Sequence, residues 1–230
     1  MVTVPADRSH RRRTPPLGGS LVYLLLNFPI GVFSFVLITT LVSFGLSTIV
    51  VWIGLPALAF LLLFVRAAGR VERGRVFALL DVYIDDPYLP LPPSGLKARW
   101  ARRLKDPASW RDLGYLYLLF PVALVEFVLL VTAWSVSLAM VTLPVYYRFL
   151  PDGVYAFPSN DLRWFTVDSF VSALPWTALG VLFAAISMAL TKGLASMHAA
   201  LATAMLRPTP AQRQRMERSW NEIDGITVAG

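Results

Sequence analysis

Polar residues gather in a few clusters, and the apolar runs between them are longer than a soluble core helix needs. No charged residue occurs between positions 21 and 65. As one helix that run would extend roughly 68 Å at about 1.5 Å per residue. A bilayer core is only about 30 Å thick, so the run must fold back. The break is legible at Trp52-Ile53-Gly54-Leu55-Pro56, since glycine ends helices, proline starts them and tryptophan suits the interface. The pattern predicts a first span over about 29–52 and a second over about 55–76. The second helix then runs past the lipid through Arg66, Arg70, Glu72, Arg73 and Arg75 to Leu80. Residues 20–28, ahead of Pro29, either lie along the inner interface or continue the helix with a kink.

The second half is built from similar pieces. Residues 81–95 are turn-rich, with Asp85-Asp86-Pro87 and Pro92-Pro93-Ser94-Gly95. In 96–105, Leu96, Trp100 and Leu104 recur every fourth position among Lys97, Arg99, Arg102, Arg103 and Lys105. That pattern suits an in-plane surface helix, and a solvated connector helix fits it as well. Asp106-Pro107 reads as an N-cap followed by the first helical position. Residues 113–147 form a third apolar block interrupted only by Glu126, with a Leu-Pro break at Leu143-Pro144. A loop over 146–168 carries Tyr155, Phe157, Trp164 and Phe165 among turn residues. The fourth span is Ser169 to Thr191, and its helix continues toward Leu206.

The resemblance between the halves extends to identity. A shift of 92 positions lays Tyr23–Leu46 on Tyr115–Leu138 with 11 identities in 24 ungapped positions, including Tyr23/Tyr115, Phe28-Pro29/Phe120-Pro121, Thr40/Thr132 and Ser43/Ser135. Apolar bias matches Leu and Val readily, but not Tyr, Phe-Pro, Thr and Ser in register. The pattern reads as an internal duplication. The predicted fold is an all-α integral membrane protein with four transmembrane helices, arranged as two tandem parallel helical-hairpin repeats. The expected organisation is a disordered basic arm (1–20), repeat one (21–80), a linker (81–105), repeat two (106–206) and a cytoplasmic tail (207–230).

Composition agrees with a membrane protein. The 230 residues are 56% hydrophobic and 15% charged, with mean hydropathy +0.59, against about a quarter charged in soluble domains. The net charge of +7 sits beside the apolar blocks, which points to a membrane surface rather than nucleic acid. Nineteen Lys and Arg fall on one predicted side and two, Arg148 and Arg163, on the other. The positive-inside rule then puts both termini and the linker in the cytoplasm of a bacterial cell, in a multi-pass plasma-membrane topology with the 146–168 loop outside.

Candidate chemistry is sparse. With no cysteine, disulfides and thiolate sites are excluded. Glu126 is the one charge inside the long apolar blocks, where carboxylates often have a task. Its counterpart in the first repeat is Ser34, and a snorkelling or hydrogen-bonded Glu is the plainer reading. His198 has no carboxylate or second histidine near it in sequence, so no metal site is expected. No nucleophile elbow, P-loop or Gly-rich nucleotide loop occurs, and no intramembrane charge pair of the transporter kind is evident. Neither catalytic residue nor cofactor is expected. The stripe Gly180, Ala184, Ser187, Thr191, Ala195 and Ala199 predicts close helix packing, within this chain or against a second copy. Tyr155, Phe157, Asn160 and Trp164 are the candidate outer ligand loop, for a small molecule or an envelope component, because binding residues often sit on such loops. A lid that merely caps the bundle is the alternative.

Tyr23-Leu24-Leu25-Leu26-Asn27-Phe28-Pro29-Ile30-Gly31, Trp52-Ile53-Gly54-Leu55-Pro56 and Asp106-Pro107-Ala108-Ser109-Trp110-Arg111-Asp112-Leu113 together resemble the sensor domain of actinobacterial membrane histidine kinases, over roughly residues 20–206. The resemblance implies a two-plus-two-span module ahead of a dimerisation helix and an ATP-binding domain. Only 24 residues follow Leu206, so the expectation is a stand-alone, non-catalytic sensor module. It would work in the bilayer with a separate histidine kinase or as a homodimer, on an unidentified ligand. A small transporter or lipid-handling protein is the alternative.

Overall fold

The computed structural model describes residues 15–88, 95–150, 153–158 and 163–218. Its elements are α1 (Leu17–Ser47), α2 (Gly54–Leu80), α3 (Leu96–Lys105), α4 (Pro107–Tyr146), β1 (Tyr155–Pro158), β2 (Arg163–Val167) and α5 (Phe170–Leu206). Among the described residues, four helices, α1, α2, α4 and α5, are long and apolar enough to cross a membrane. The protein is an all-α membrane protein, and the short α3 carries the amphipathic pattern read at 96–105.

Helix α1 passes through Pro29 without a break, so residues 20–28 belong to the first span. It ends at Ser47, ahead of the expected position 52. The Ser47 and Thr48 hydroxyls bond back to the Ser43 and Phe44 carbonyls at 2.8 and 2.6 Å. The Phe44 carbonyl also accepts from the Thr48 N–H at 3.1 Å, so the hydroxyl is a second donor to it. A short 3-10 turn and Trp52 at φ 64° then reverse the chain. Two glycines let it close: a Cβ on Gly54 would stand 2.0 Å from the Gly45 carbonyl oxygen. Helix α4 starts as read, with the Asp106 carboxylate accepting from the Ala108 N–H at 3.1 Å. It carries Pro121 and Pro144 inside it, so Leu143-Pro144 is not the break; the helix ends two residues later. Ser169 and Ser172 form a capping box at the start of α5.

Contacts set the directions. Gly19 lies against Leu79 and Gly45 against Leu58, so α1 and α2 run antiparallel. Arg111 reaches the Ala204 carbonyl and Gly180 abuts Met140 and Val141, so α4 and α5 do too. The two pairs meet where α1 crosses α4. Gly31 sits on the Phe120 backbone, where a Cβ would be 3.0 Å from Phe120 Cα. Phe28 stacks on Phe127 at 4.6 Å and Phe35 packs on Phe120 at 4.9 Å. The main core holds Tyr23, Leu24, Val65, Val76, Tyr115, Leu116, Leu119, Ala195 and Ala202.

The 146–168 loop contains an antiparallel hairpin that the turn-rich composition did not announce. Tyr155 pairs with Val167 and Phe157 with Phe165. Alternation along a strand puts Tyr155, Phe157, Phe165 and Val167 on the face toward the helices and Trp164 on the other. Tyr155 meets Tyr146 and Phe165 meets Trp176 edge to face, and Val167 is buried with Leu143, Tyr147 and Ala173. The stripe on α5 is spent within this chain: Gly180 faces α4 as above, Thr191 accepts from the Trp134 indole at 3.1 Å, and Ala195 and Ala199 are core.

Candidate functional site

Six side chains from all four spans converge on one buried polar network: Tyr23 and Asn27 on α1, Glu72 on α2, Tyr115 and Glu126 on α4, and His198 on α5. Each is at most 2% exposed. The Glu126 carboxylate faces His198 Nδ1 at 2.8 and 2.9 Å. His198 Nε2 lies 3.1 Å from the Tyr115 hydroxyl, which is itself 3.0 Å from Glu72 Oε1. The Tyr23 hydroxyl donates to the same Glu72 oxygen at 2.5 Å. Arg75 donates to Glu72 Oε2 at 2.6 Å and to Asn27 Oδ1 at 3.0 Å. The Asn27 amide nitrogen closes the ring toward Glu126 Oε2 at 3.5 Å.

Of the two plainer readings of Glu126, the hydrogen-bonded one holds: it points into the bundle and does not snorkel to an interface. One expectation is corrected. His198, read as lacking a carboxylate partner, has one, supplied by α4. A buried pair of ionisable groups is therefore present inside the helical bundle. The signals that bear on it are modest. His198 follows Thr191 by seven residues and Ser187 by eleven, so it lies on the small-residue face of α5, which is the face that packs. Glu72 stood in an arginine cluster that read as a solvated helix end, yet Val65, Gly69, Glu72, Val76 and Leu80 share the buried face of α2.

A hydrogen-bond count shows what the network can do. A phenol has one proton to give. If Tyr115 donates to Glu72, the ring nitrogen facing it must be the donor, so the proton sits on His198 Nε2. If Nε2 is bare, Tyr115 turns its proton to the imidazole and Glu72 loses a donor. One proton on His198 thus decides whether α5 is tied through Tyr115 to α2. No group of three or more metal-ligating residues occurs among the described residues.

A second cluster fastens α2 to the start of α4 and explains the residues of the Asp106–Leu113 motif. Arg66 donates to Asp106 at 3.0 Å and to the Ser109 hydroxyl at 2.9 Å. Arg73 donates to Asp112 at 2.8 Å. Tyr88, from the stretch after α2, donates to the other Asp112 oxygen, and the Arg66 guanidinium lies 3.9 Å over its ring. Burial, then the Asp112 carboxylate beside it, raises the Tyr88 phenol above its ordinary pKa. Arg111 reaches the Arg207 and Ala204 carbonyls at the end of α5, where cations suit the helix dipole.

Residues 23–206 match the profile of the family described as "Putative sensor". The chain belongs to this family. The match begins at Tyr23, in the network, and ends at Leu206, whose carbonyl accepts from Arg73 at 3.4 Å. No curated protein and no solved structure matches the chain. The remaining candidates of this sensor-family protein stand apart from the network. Trp164 is 70% exposed and Phe157 is exposed on the hairpin, whereas Tyr155 is packed against Tyr146. Asn160 lies outside the described residues.

Proposed function

We propose that this chain is a non-catalytic signal-transduction module of the plasma membrane, with both termini cytoplasmic, that works with a separate histidine kinase. The sensor family carries the general role. The observation that favours signal transmission is the closed network of Tyr23, Asn27, Glu72, Tyr115, Glu126 and His198. It joins all four spans and holds α5, whose last turn leads into the tail. Such a network has two donor arrangements, and a partner that binds them unequally would register the difference. The exposed aromatic residues of the hairpin are the proposed input surface. The two halves arise from duplication in this reading. The 92-residue shift carries the Phe28–Phe127 contact onto the Phe35–Phe120 contact, as a two-fold relation between the halves requires.

The transporter alternative draws on the same Glu126–His198 pair, since intramembrane ionisable residues mark ion pathways. The burial of the six side chains weighs against it. The deciding experiment reconstitutes the chain in liposomes with histidine kinases from the same genome and labelled ATP. One kinase should change its autophosphorylation when the chain is present, and the chain alone should take up no label. Acid-labile phosphate on the chain alone, or no response from any kinase, would overturn the proposal.

A further inference from the structure

Where α2 emerges from the apolar region, a cavity of about 280 Å³ opens between α2, α3 and the stretch after α2, walled by Leu63, Arg66, Arg70, Asp86, Tyr88 and Arg103. Ligand sites run from roughly 300 to 1,000 Å³, so this one has room for a headgroup but not a whole lipid. We propose that it binds the phosphodiester of an anionic phospholipid.

Charge favours that occupant. The guanidiniums of Arg66, Arg70 and Arg103 line the cavity and that of Arg73 lines the recess beside it, and the carboxylates paired with them are those of Asp86, Asp106 and Asp112. Arg66 and Arg73 are consumed by the buried Asp106 and Asp112. Arg70 has only the exposed Asp86 at 4.0 Å, with its side chain 59% exposed. Arg103 lies 5.2 Å over the Trp100 ring. Four cations against three anions leave one positive charge, which matches a single phosphodiester without a cationic headgroup. Arg73 also lines an adjoining recess that shares Arg70 and Asp86, and its Nη1 is buried with no hydrogen-bond partner among the described residues. Guanidiniums suit phosphate because their donors match its oxygens two at a time.

The surroundings identify the lipid as the source of the phosphate. Leu63 in the cavity wall and Phe60 one turn nearer the bilayer are both exposed on α2, and give acyl chains an apolar track. On α3, Leu96 and Leu104 are exposed on a helix with five Lys and Arg. No described residue covers this apolar edge, which fits a helix lying in the interface plane. Arg103 then hangs at headgroup depth beside the cavity.

The test uses the purified full chain in a zwitterionic detergent and reads lipid retention by native mass spectrometry and the midpoint of thermal unfolding. The probes are phosphatidylglycerol, phosphatidylcholine and sodium phosphate. Phosphatidylglycerol should be retained about tenfold more strongly than phosphatidylcholine and should raise the midpoint, while sodium phosphate should not. The preference should disappear in R70Q/R103Q and persist in R70K/R103K. R103E alone, on a surface position of α3, serves if the double variant does not fold, and should also abolish the preference. Equal retention of the two lipids, or a preference kept in R70Q/R103Q or R103E, overturns the proposal. An equal midpoint shift from sodium phosphate would assign the cavity to a soluble anion and overturn the lipid.

Discussion

Glu126 and His198 are 72 residues apart in the chain, and the Glu126 Oε1 to His198 Nδ1 distance is 2.8 Å. Neither side chain reaches solvent, so the pair ties α4 to α5 inside the bundle. E126A and H198A should each destabilise the protein by about 1–3 kcal/mol, the cost of an unsatisfied buried partner. The double variant should lose less than the sum, because the two share one interaction. Unfolding of the detergent-solubilised protein measures all three. Strict additivity would mean that the two residues do not interact.

Close approach of α4 and α5 makes a contrasting pair of glycines. A Cβ on Gly180 would stand 2.7 Å from Val141 N and 2.8 Å from Met140 Cβ, whereas Gly193 has nothing within 4 Å. G180A should cost about 1–3 kcal/mol through overpacking against backbone. G193A should be neutral or stabilise by up to about 1 kcal/mol, as alanine is the better helix former. The same unfolding assay compares them, and equal effects would contradict the packing.

Cytoplasmic termini and linker, part of the proposed topology, are testable because the sequence has no cysteine. Cysteines at Lys97 on α3 and Thr166 on β2, both exposed, should react from opposite sides. An impermeant thiol reagent on intact cells should label T166C alone. Labelling of K97C as well would refute the topology.

Tyr88 yields a pH dependence with a definite sign. Its phenol is raised in the folded state by burial and by Asp112. As pH rises through about 10, the ordinary phenol value, the unfolded chain releases this proton first and holds fewer protons than the folded one. Stability therefore falls with rising pH there. Y88F should remove that component and flatten the alkaline limb of an unfolding-midpoint curve. An unchanged limb would show that Tyr88 titrates alike in both states.

Much of the architecture was legible because the bilayer constrains it so tightly. A charge-free run of 45 residues must cross twice, and Gly54 marked where it turns. Asp106-Pro107 announced α4, and the spacing of Leu96, Trp100 and Leu104 announced α3. The boundary at Ser47 was missed because a 3-10 turn over Ile49–Val51 replaces the last α-helical turn before the tryptophan that marks the interface. The hairpin was missed because its strands are four and five residues long. Turn residues dominate a stretch that short, and its strands are held by packing on Tyr146 and Trp176.

By itself, the sequence determined that this is a membrane protein with four long apolar helices, and where most of them begin. Those features depend on local composition and on the cost of leaving backbone and charge in lipid. Only the tertiary structure decided what Glu126 and His198 are for one another, and that Tyr23 and Tyr115, equivalent under the 92-residue shift, reach one oxygen of Glu72. Periodicity says which face of a helix is buried. It does not say which residue of another helix lies opposite, because that depends on how α1 crosses α4 and how far α5 slides along it. Those two quantities are set by the close backbone contacts at Gly31 and Gly180, and through them by the packing of the whole bundle.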